Sequence, residues 1–357
     1  MRWSASALLR ALALAGGLFA CESELTTTAP DPEIPRVART WDAIDFDLSA
    51  GEVPEGIAFD SEGRLYVGLA PLGKILRIGP DGMESTFATL LPTPIPAGGP
   101  PGLLGLAIIA SGDVYAALVS FDPATHGVYR IDGRTTAFER LPGSAAICWP
   151  NALAFDHRGN LYVTESTRVC SGEPMVGAVW RISPGGRAEP WAESADLAGN
   201  GALGLGVPIG ANGIAFRPGG GGPGRLIVAN TETGALLSIP IHPDGTAGEV
   251  ETLVQDQRLL PLDGIVPDVH GTIYAMVIGQ NRIVKVSPDG LDLEDVADAT
   301  NGLVLPVNAA FGTVGDDRRR LFVANFALPA SVLPPGFPPS DPGIVVIDIG
   351  VPGSPLP

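Results

Sequence analysis

Four oxygen-bearing residues, Glu55, Asn151, Asn212 and Asp263, occupy the same place in a phrase that recurs along this 357-residue chain. The phrase is clearest at Ala211-Asn212-Gly213-Ile214-Ala215-Phe216. It returns at Pro54-Glu55-Gly56-Ile57-Ala58-Phe59, Pro150-Asn151-Ala152-Leu153-Ala154-Phe155 and Leu262-Asp263-Gly264-Ile265-Val266-Pro267. Two carboxylates and two amide carbonyls form an all-oxygen set whose two negative charges balance a divalent cation, and hard oxygen donors select Ca2+. Mg2+, Mn2+ or Zn2+ are the alternative divalent ions, although zinc would want His or Cys, and neither stands at this place. A cation held by four protein donors keeps positions for water and a substrate oxygen, so it can polarise a carbonyl or phosphoryl group. Asn and Asp before a strand also serve simply as turn caps. The weight therefore lies on four donors in register, not on any one of them.

Two further copies, at Leu103-Leu104-Gly105-Leu106-Ala107-Ile108 and Val307-Asn308-Ala309-Ala310-Phe311, bring the phrase to six. Leu104 makes the second copy apolar, and in the sixth Asn308 takes the place of the donors without joining the set. From Glu55 through Leu104, Asn151, Asn212 and Asp263 to Asn308 the steps are 49, 47, 61, 51 and 45 residues. Each apolar phrase leads into a turn such as Asp60-Ser61-Glu62-Gly63 or Asp156-His157-Arg158-Gly159, then a second strand such as Leu65-Tyr66-Val67 or Leu161-Tyr162-Val163. A third strand follows, as at Lys74-Ile75-Leu76-Arg77-Ile78. A repeat of this length, β in its local pattern and punctuated by Gly-bearing hairpins, is a propeller blade. The expected fold is all-β, a six-bladed β-propeller over residues 41–350 with four-stranded antiparallel blades. The first strand of each blade would line the central channel and carry the donors to one depth. Ile44-Asp45-Phe46-Asp47-Leu48 alternates like a strand and could pair in the last blade to close the ring.

Residues 1–21 have the form of an export signal: Arg2, an apolar stretch from Ala7 to Gly17 too short to span a bilayer, and Leu18-Phe19-Ala20-Cys21, which resembles a bacterial lipoprotein cleavage box. Cys21 would then be the lipidated first residue, anchored in a membrane leaflet of the cell envelope on the periplasmic or outer surface. Residues 22–40, rich in Thr, Pro and acids, form a flexible tether, and residues 351–357 a C-terminal tail. The net charge of −17 and the lack of a basic cluster exclude a nucleic-acid partner, which needs a concentrated basic face. A monomer is expected. The remaining cysteines, Cys148 and Cys170, flank the first and second strands of the third blade on one face, where a disulfide is geometrically reasonable in an oxidising compartment.

Histidines are the usual rivals as a base. His157, His242 and His270 lie in turns on the face opposite the donors, whereas His126 falls in a loop on the donor face and could reach a substrate. Pocket walls should come from the ends of the second strands and adjoining loops: Leu69, Phe121, Trp149, Glu165, Arg168, Met175, Thr231, Gln280 and Phe326. Their apolar bias points to a hydrophobic lactone or aryl ester. No G-x-S-x-G elbow, H-E-x-x-H pair or phosphate-binding Gly-Lys loop occurs.

The ordered series Glu55, Asn151, Asn212, Asp263, together with Pro54-Glu55-Gly56-Ile57-Ala58-Phe59, Asn212-Gly213-Ile214-Ala215-Phe216 and Asp263-Gly264, resembles the senescence-marker-protein/gluconolactonase (regucalcin-like) family. That family is related to paraoxonases and diisopropylfluorophosphatase. The resemblance implies a six-bladed propeller with a catalytic Ca2+ on its axis, hydrolysing lactones, esters or organophosphates. It places Asp263 as general base or nucleophile, with Glu55 beside it in the catalytic pair. The expectation is a Ca2+-dependent lactonase or esterase acting on a small molecule. The competing class is a non-catalytic envelope propeller that binds a ligand or protein and uses the ion structurally. A quinone-dependent sugar dehydrogenase is a third possibility, disfavoured by an axis without basic or His residues.

Overall fold

A computed structural model describes residues 44–95, 101–170, 176–204, 207–327 and 341–357. The signal, Cys21, the tether and Met175 lie outside the described residues. The chain forms six four-stranded antiparallel sheets arranged as blades. β1 (Ile44–Asp45) comes first but belongs to the last blade. Blade one holds β2 (Pro54–Phe59), β3 (Leu65–Leu69), β4 (Lys74–Ile78) and β5 (Glu84–Thr89). Blade two holds β6 (Gly102–Ile108), β7 (Val114–Val119), β8 (Gly127–Ile131) and β9 (Phe138–Arg140). Blade three follows as β10 (Pro150–Phe155), β11 (Leu161–Glu165), β12 (Gly177–Ile182) and β13 (Ala188–Ser194). Blade four comprises β14 (Ala211–Arg217), β15 (Arg225–Asn230), β16 (Ala235–Pro240) and β17 (Glu251–Gln255). Blade five comprises β18 (Leu262–Pro267), β19 (Ile273–Val277), β20 (Arg282–Val286) and β21 (Leu293–Ala297). Blade six comprises β22 (Pro306–Phe311), β23 (Arg320–Asn325), β24 (Gly343–Asp348) and, as its outer strand, β1.

That last pairing, with Ile44 opposite Ile344, closes the ring with a strand from the start of the domain, so the two ends of the circle hold each other. The strand is shorter than the alternation suggested. Asp47 accepts the backbone N–H groups of Ser49 and Ala50 and turns the chain into a 3-10 segment at Leu48–Ala50. Among the described residues the only helices are such short 3-10 turns.

Hydrophobic burial is distributed around the ring. Phe46, Ile57, Leu65, Val67, Phe322 and Ile344 pack between blades six and one, and comparable clusters fill the other five gaps. Each blade is thus a two-faced sheet whose faces are covered by its neighbours, which accounts for strands that are apolar on both sides.

Each inner strand carries a register break near its start, after the first residue of the strand or, in β6, after the second. In β10, Pro150 faces Glu165 but Leu153 faces Val163, and β2, β14 and β18 repeat this at the equivalent places. The break turns the second residue of the phrase out of the sheet and toward the channel. Gly at the third place follows from how close the next blade comes. A Cβ on Gly105 would stand 2.1 Å from the carbonyl oxygen of Asn151, and one on Gly213 would stand 2.5 Å from that of Asp263.

The sixth copy needs a correction. Pro306 faces Asn325 and Ala309 faces Val323, as Pro150 faces Glu165 and Leu153 faces Val163. Val307, not Asn308, therefore occupies the donor place in blade six. Asn308 sits at the Gly place instead, and its Oδ1 accepts the Ala309 N–H.

The last residues are not a free tail. Ser354 donates from N to the Pro267 carbonyl and from its hydroxyl to the Asp268 carbonyl, and the Ala110 N–H of blade two reaches the Pro357 carbonyl at 3.2 Å. Residues 354–357 thereby cross the lower mouth of the channel and line an apolar chamber of about 350 Å³ beneath the donor ring, between the inner strands.

Candidate active site on the propeller axis

The four predicted donors arrive from blades one, three, four and five with nearly equal exposure: Glu55 7%, Asn151 8%, Asn212 7% and Asp263 8%. All four are therefore buried to the same degree at the start of their inner strands. Leu104 and Val307, buried at 5% and 3%, complete the circle on its apolar side.

The amides are held from behind. Asn151 Nδ2 donates to Ser166 Oγ at 3.0 Å and to Asn212 Oδ1 at 3.0 Å, while Asn212 Nδ2 donates to Thr231 Oγ1 at 3.1 Å. Ser166 in turn donates to the Ala211 carbonyl, and Thr164 Oγ1 to the Asn212 carbonyl at 2.7 Å, stitching blade three to blade four directly beneath the site. Of these supporting hydroxyls the sequence singles out only Thr231, as a pocket wall. The available signal was position, since all lie at or just past the end of a second strand.

The carboxylates have little to neutralise them. Glu55 Oε2 is buried without a hydrogen-bond partner. Its pKa is driven well upward, first by burial and then by the negative charge of Asp263. Burial likewise pushes Asp263 from 3.8 up to about 7, against a hydrogen bond from Asn212 that pulls the other way. Two acids from blades one and five are thus close enough to repel across the axis. An orphaned oxygen beside a second buried acid, with amide oxygens around them, is a donor set that a hard divalent cation satisfies. Among the described residues no three His, Cys, Asp or Glu side chains gather, so a nitrogen- or sulfur-rich metal site is not built there.

The other predicted residues divide into two groups. Phe121, His126 and Trp149 come together around one cavity of about 340 Å³ between blades two and three. Within it, His126 is fixed at both nitrogens: Nδ1 accepts the Ser120 N–H at 3.1 Å and Nε2 lies 2.7 Å from the Ile147 carbonyl, so it braces the loop instead of offering a free base. Cys148 and Cys170 are joined by a disulfide in the same wall, with 5.7 Å between Cα atoms.

Arg168, Gln280, Phe326, Glu165 and Leu69 are engaged elsewhere. Arg168 bridges Glu165 and Glu193, each at 2.7 Å, and Glu165 also receives the Trp180 indole and the Cys148 N–H. Gln280 Nε2 bonds the carbonyls of Gln257 and Leu260. Phe326 and Leu69 pack into the core between blades six and one.

One buried acid near this face went unnoticed. Glu232 receives the Gly201 N–H at 2.6 Å. Burial raises its pKa, and backbone hydrogen bonds from Gly201, Asn200 and Ile209 partly restore it. It pins the loop that makes the blade-three-to-four step the longest of the series.

Residues 106–326, or 221 of the 357, match the sequence family defined as the SMP-30/Gluconolactonase/LRE-like region. The chain belongs to this family. Within the SMP-30/gluconolactonase fold it also carries, at residues 44–78, a match to the N-terminal part of strictosidine synthase-like proteins. No curated protein matches the sequence. Among solved structures, the calcium-binding protein regucalcin from Agrobacterium tumefaciens is 17% identical, with 88% of this chain and 96% of that one covered and a TM-score of 0.62. A gluconolactonase from Xanthomonas campestris is 17% identical, with 90% and 100% covered and a TM-score of 0.58. A PQQ-bound aldose sugar dehydrogenase from Streptomyces coelicolor is 16% identical, with 89% and 99% covered and a TM-score of 0.56. At such identities the likeness establishes the fold. Hydrolase and dehydrogenase names on one scaffold mean that the chemistry has to be argued from the axial residues.

Proposed function

We propose that this member of the SMP-30/gluconolactonase family is a Ca2+-dependent hydrolase of lactones or esters, exported to the cell envelope on a lipid anchor at Cys21. The observation that carries the catalytic part is the partnerless Glu55 carboxylate facing Asp263 in a ring otherwise completed by two amides. The calcium-binding neighbour and the gluconolactonase neighbours support it at the level of fold.

Glu55, Asn151, Asn212 and Asp263 would hold the ion through oxygen, the two carboxylates matching its charge. Bound there, Ca2+ supplies a Lewis acid for the substrate's carbonyl oxygen. The chain's own residues do the rest. Asp263, oriented by Asn212, takes a proton from water or attacks the carbonyl carbon itself. Asn151 and Asn212 present dipoles that do not titrate, and their orientation is fixed by Ser166 and Thr231 before substrate arrives. Leu104 and Val307 exclude water from the flanks not occupied by donors. The axis offers no His or basic side chain at the donor places to hold a quinone cofactor, which separates this site from a dehydrogenase of the same fold.

The test is hydrolysis of a lactone and aryl-ester panel with and without a chelator, beside Asp263→Asn. Turnover lost on chelation, restored by Ca2+ and absent in the variant is expected. Activity indifferent to both changes rejects the assignment. Calcium binding without turnover, with the chelator only lowering the melting temperature, would make the protein a binding propeller with a structural ion. Mass spectrometry of the exported protein for a lipid on Cys21 tests the anchor.

A further inference from the structure

Leu104 and Val307 are the apolar members of the axial ring, and the contacts of Leu104 lead away from it. It packs with Val119 and Trp149 in a small buried cluster of its own. Val119 and Trp149 also line the cavity of about 340 Å³ between blades two and three, together with Phe121, Val169 and Val207. Leu104, backed by Val119 and Trp149, therefore links the donor ring to the wall of an apolar chamber. Ends of second strands and starts of inner strands meet there, because Pro150 pairs with Glu165 and Leu103 with Leu118.

Two properties show a cavity built to receive something apolar. Its rim leaves Phe121 67% and Val169 39% exposed, large hydrophobic side chains turned to solvent. Its wall is also braced. His126 ties the Phe121 loop to the Ile147 carbonyl, and the Cys148–Cys170 disulfide fixes the segments carrying Trp149 and Val169. Its volume falls at the lower end of the range of about 300–1,000 Å³ typical of small-molecule sites.

We propose that this cavity takes the apolar alkyl or aryl portion of the ester or lactone whose carbonyl is held at the axis. The preferred substrate class is then a lactone or ester with a hydrophobic substituent and not a polyhydroxylated sugar lactone, whose hydroxyls would lose water here without gaining partners. The inference rests on the proposed hydrolase, and its test separates the two.

The calcium-loaded protein is assayed on γ-lactones with side chains from methyl to hexyl. In parallel, the dissociation constants of non-hydrolysable 2-alkylcyclopentanones of the same chain lengths are measured by calorimetry. Each methylene entering the cavity is expected to raise kcat/KM and tighten binding by about fourfold, from about 0.8 kcal/mol per buried methylene. Phe121→Ser, at an exposed rim where folding is not at stake, should flatten both series. Met83→Ser, in the exposed Gly79–Met83 turn of blade one, should leave both slopes intact. Turnover without dependence on chain length overturns the cavity assignment and spares the hydrolase, whatever the binding series shows. Binding that tightens with chain length, is flattened by Phe121→Ser, and occurs without turnover of any lactone sinks the hydrolase and leaves the cavity as an apolar ligand site. Flat binding without turnover overturns both.

Discussion

Glu55 and Asp263 make a sharp prediction about acidity. A folded-state pKa raised above the unfolded one means that the folded protein holds protons the unfolded chain has released. The ion-free protein should therefore lose stability as pH rises from about 4, where unfolded aspartates titrate, through the value of about 7 for Asp263. Melting temperatures measured in chelator should be lower at pH 8 than at pH 5, by about 2 °C or more for each kcal/mol lost. Adding Ca2+ should remove most of that slope. Asp263→Asn relieves the same repulsion, so in chelator at pH 8 it should melt above the parent, while turnover falls by at least about 100-fold and Ca2+ no longer shifts its melting temperature. A variant that loses stability along with activity would point to a structural carboxylate. That Glu55, Asn151, Asn212 and Asp263 share one place in the blade was legible because the phrase around them recurs in register. Their supports at Ser166 and Thr231, and the occupied state of Arg168 and Gln280, were not, since those partners are set by loop geometry that periodicity does not encode.

Inner strands give the donors their direction, and the Gly at the third place sets how tightly neighbouring blades meet. Gly105→Ala would drive a methyl group against the Asn151 carbonyl, with about 1–3 kcal/mol lost in urea denaturation and weaker Ca2+ binding by calorimetry, because Asn151 is the displaced residue. A second device recurs in blades one, three and five, where an Asp ends the inner strand, caps its own turn and accepts the hydroxyl of a Tyr six residues on. Asp156 takes the N–H groups of Arg158 and Asn160 and the Tyr162 hydroxyl, as Asp60 does for Glu62, Arg64 and Tyr66. Tyr162→Phe should cost about 1 kcal/mol in urea denaturation, and Asp156→Ala clearly more, since it strands the buried Tyr162 hydroxyl and two partly buried N–H groups. These turns were evident from their Asp and Gly residues; the third strand of blade one runs over Lys74–Ile78 as expected, while second strands extend two residues past the expected Val67 and Val163, to Leu69 and Glu165. The slip at Val307-Asn308 arose because the sixth copy has Asn where the others have Gly or Ala. Aligned on Phe311, the residue facing Leu321, it falls into register.

On the scale of the whole molecule the ring is closed by very little, a two-residue strand holding the outer edge of blade six. Placing Pro at Ile44 removes an N–H from that edge and should lower the melting temperature by several degrees, with hydrogen exchange rising first in β24. Protection retained throughout blade six would mean that the interblade core, with Phe46 in it, suffices for closure. The six-bladed count was legible from repetition alone, while the course of residues 351–357 was not, because nothing in Val351-Pro352-Gly353-Ser354 announces where it docks. Its path has a kinetic corollary. With Ser354 to Pro357 laid across the far end of the bore, the substrate and product of the proposed hydrolase are expected to pass through the opposite face, where Glu55 and Asp263 lie. The hydroxy acid released by each cycle should then be a competitive inhibitor of the next, and entry rather than chemistry should slow first as the solvent is made viscous.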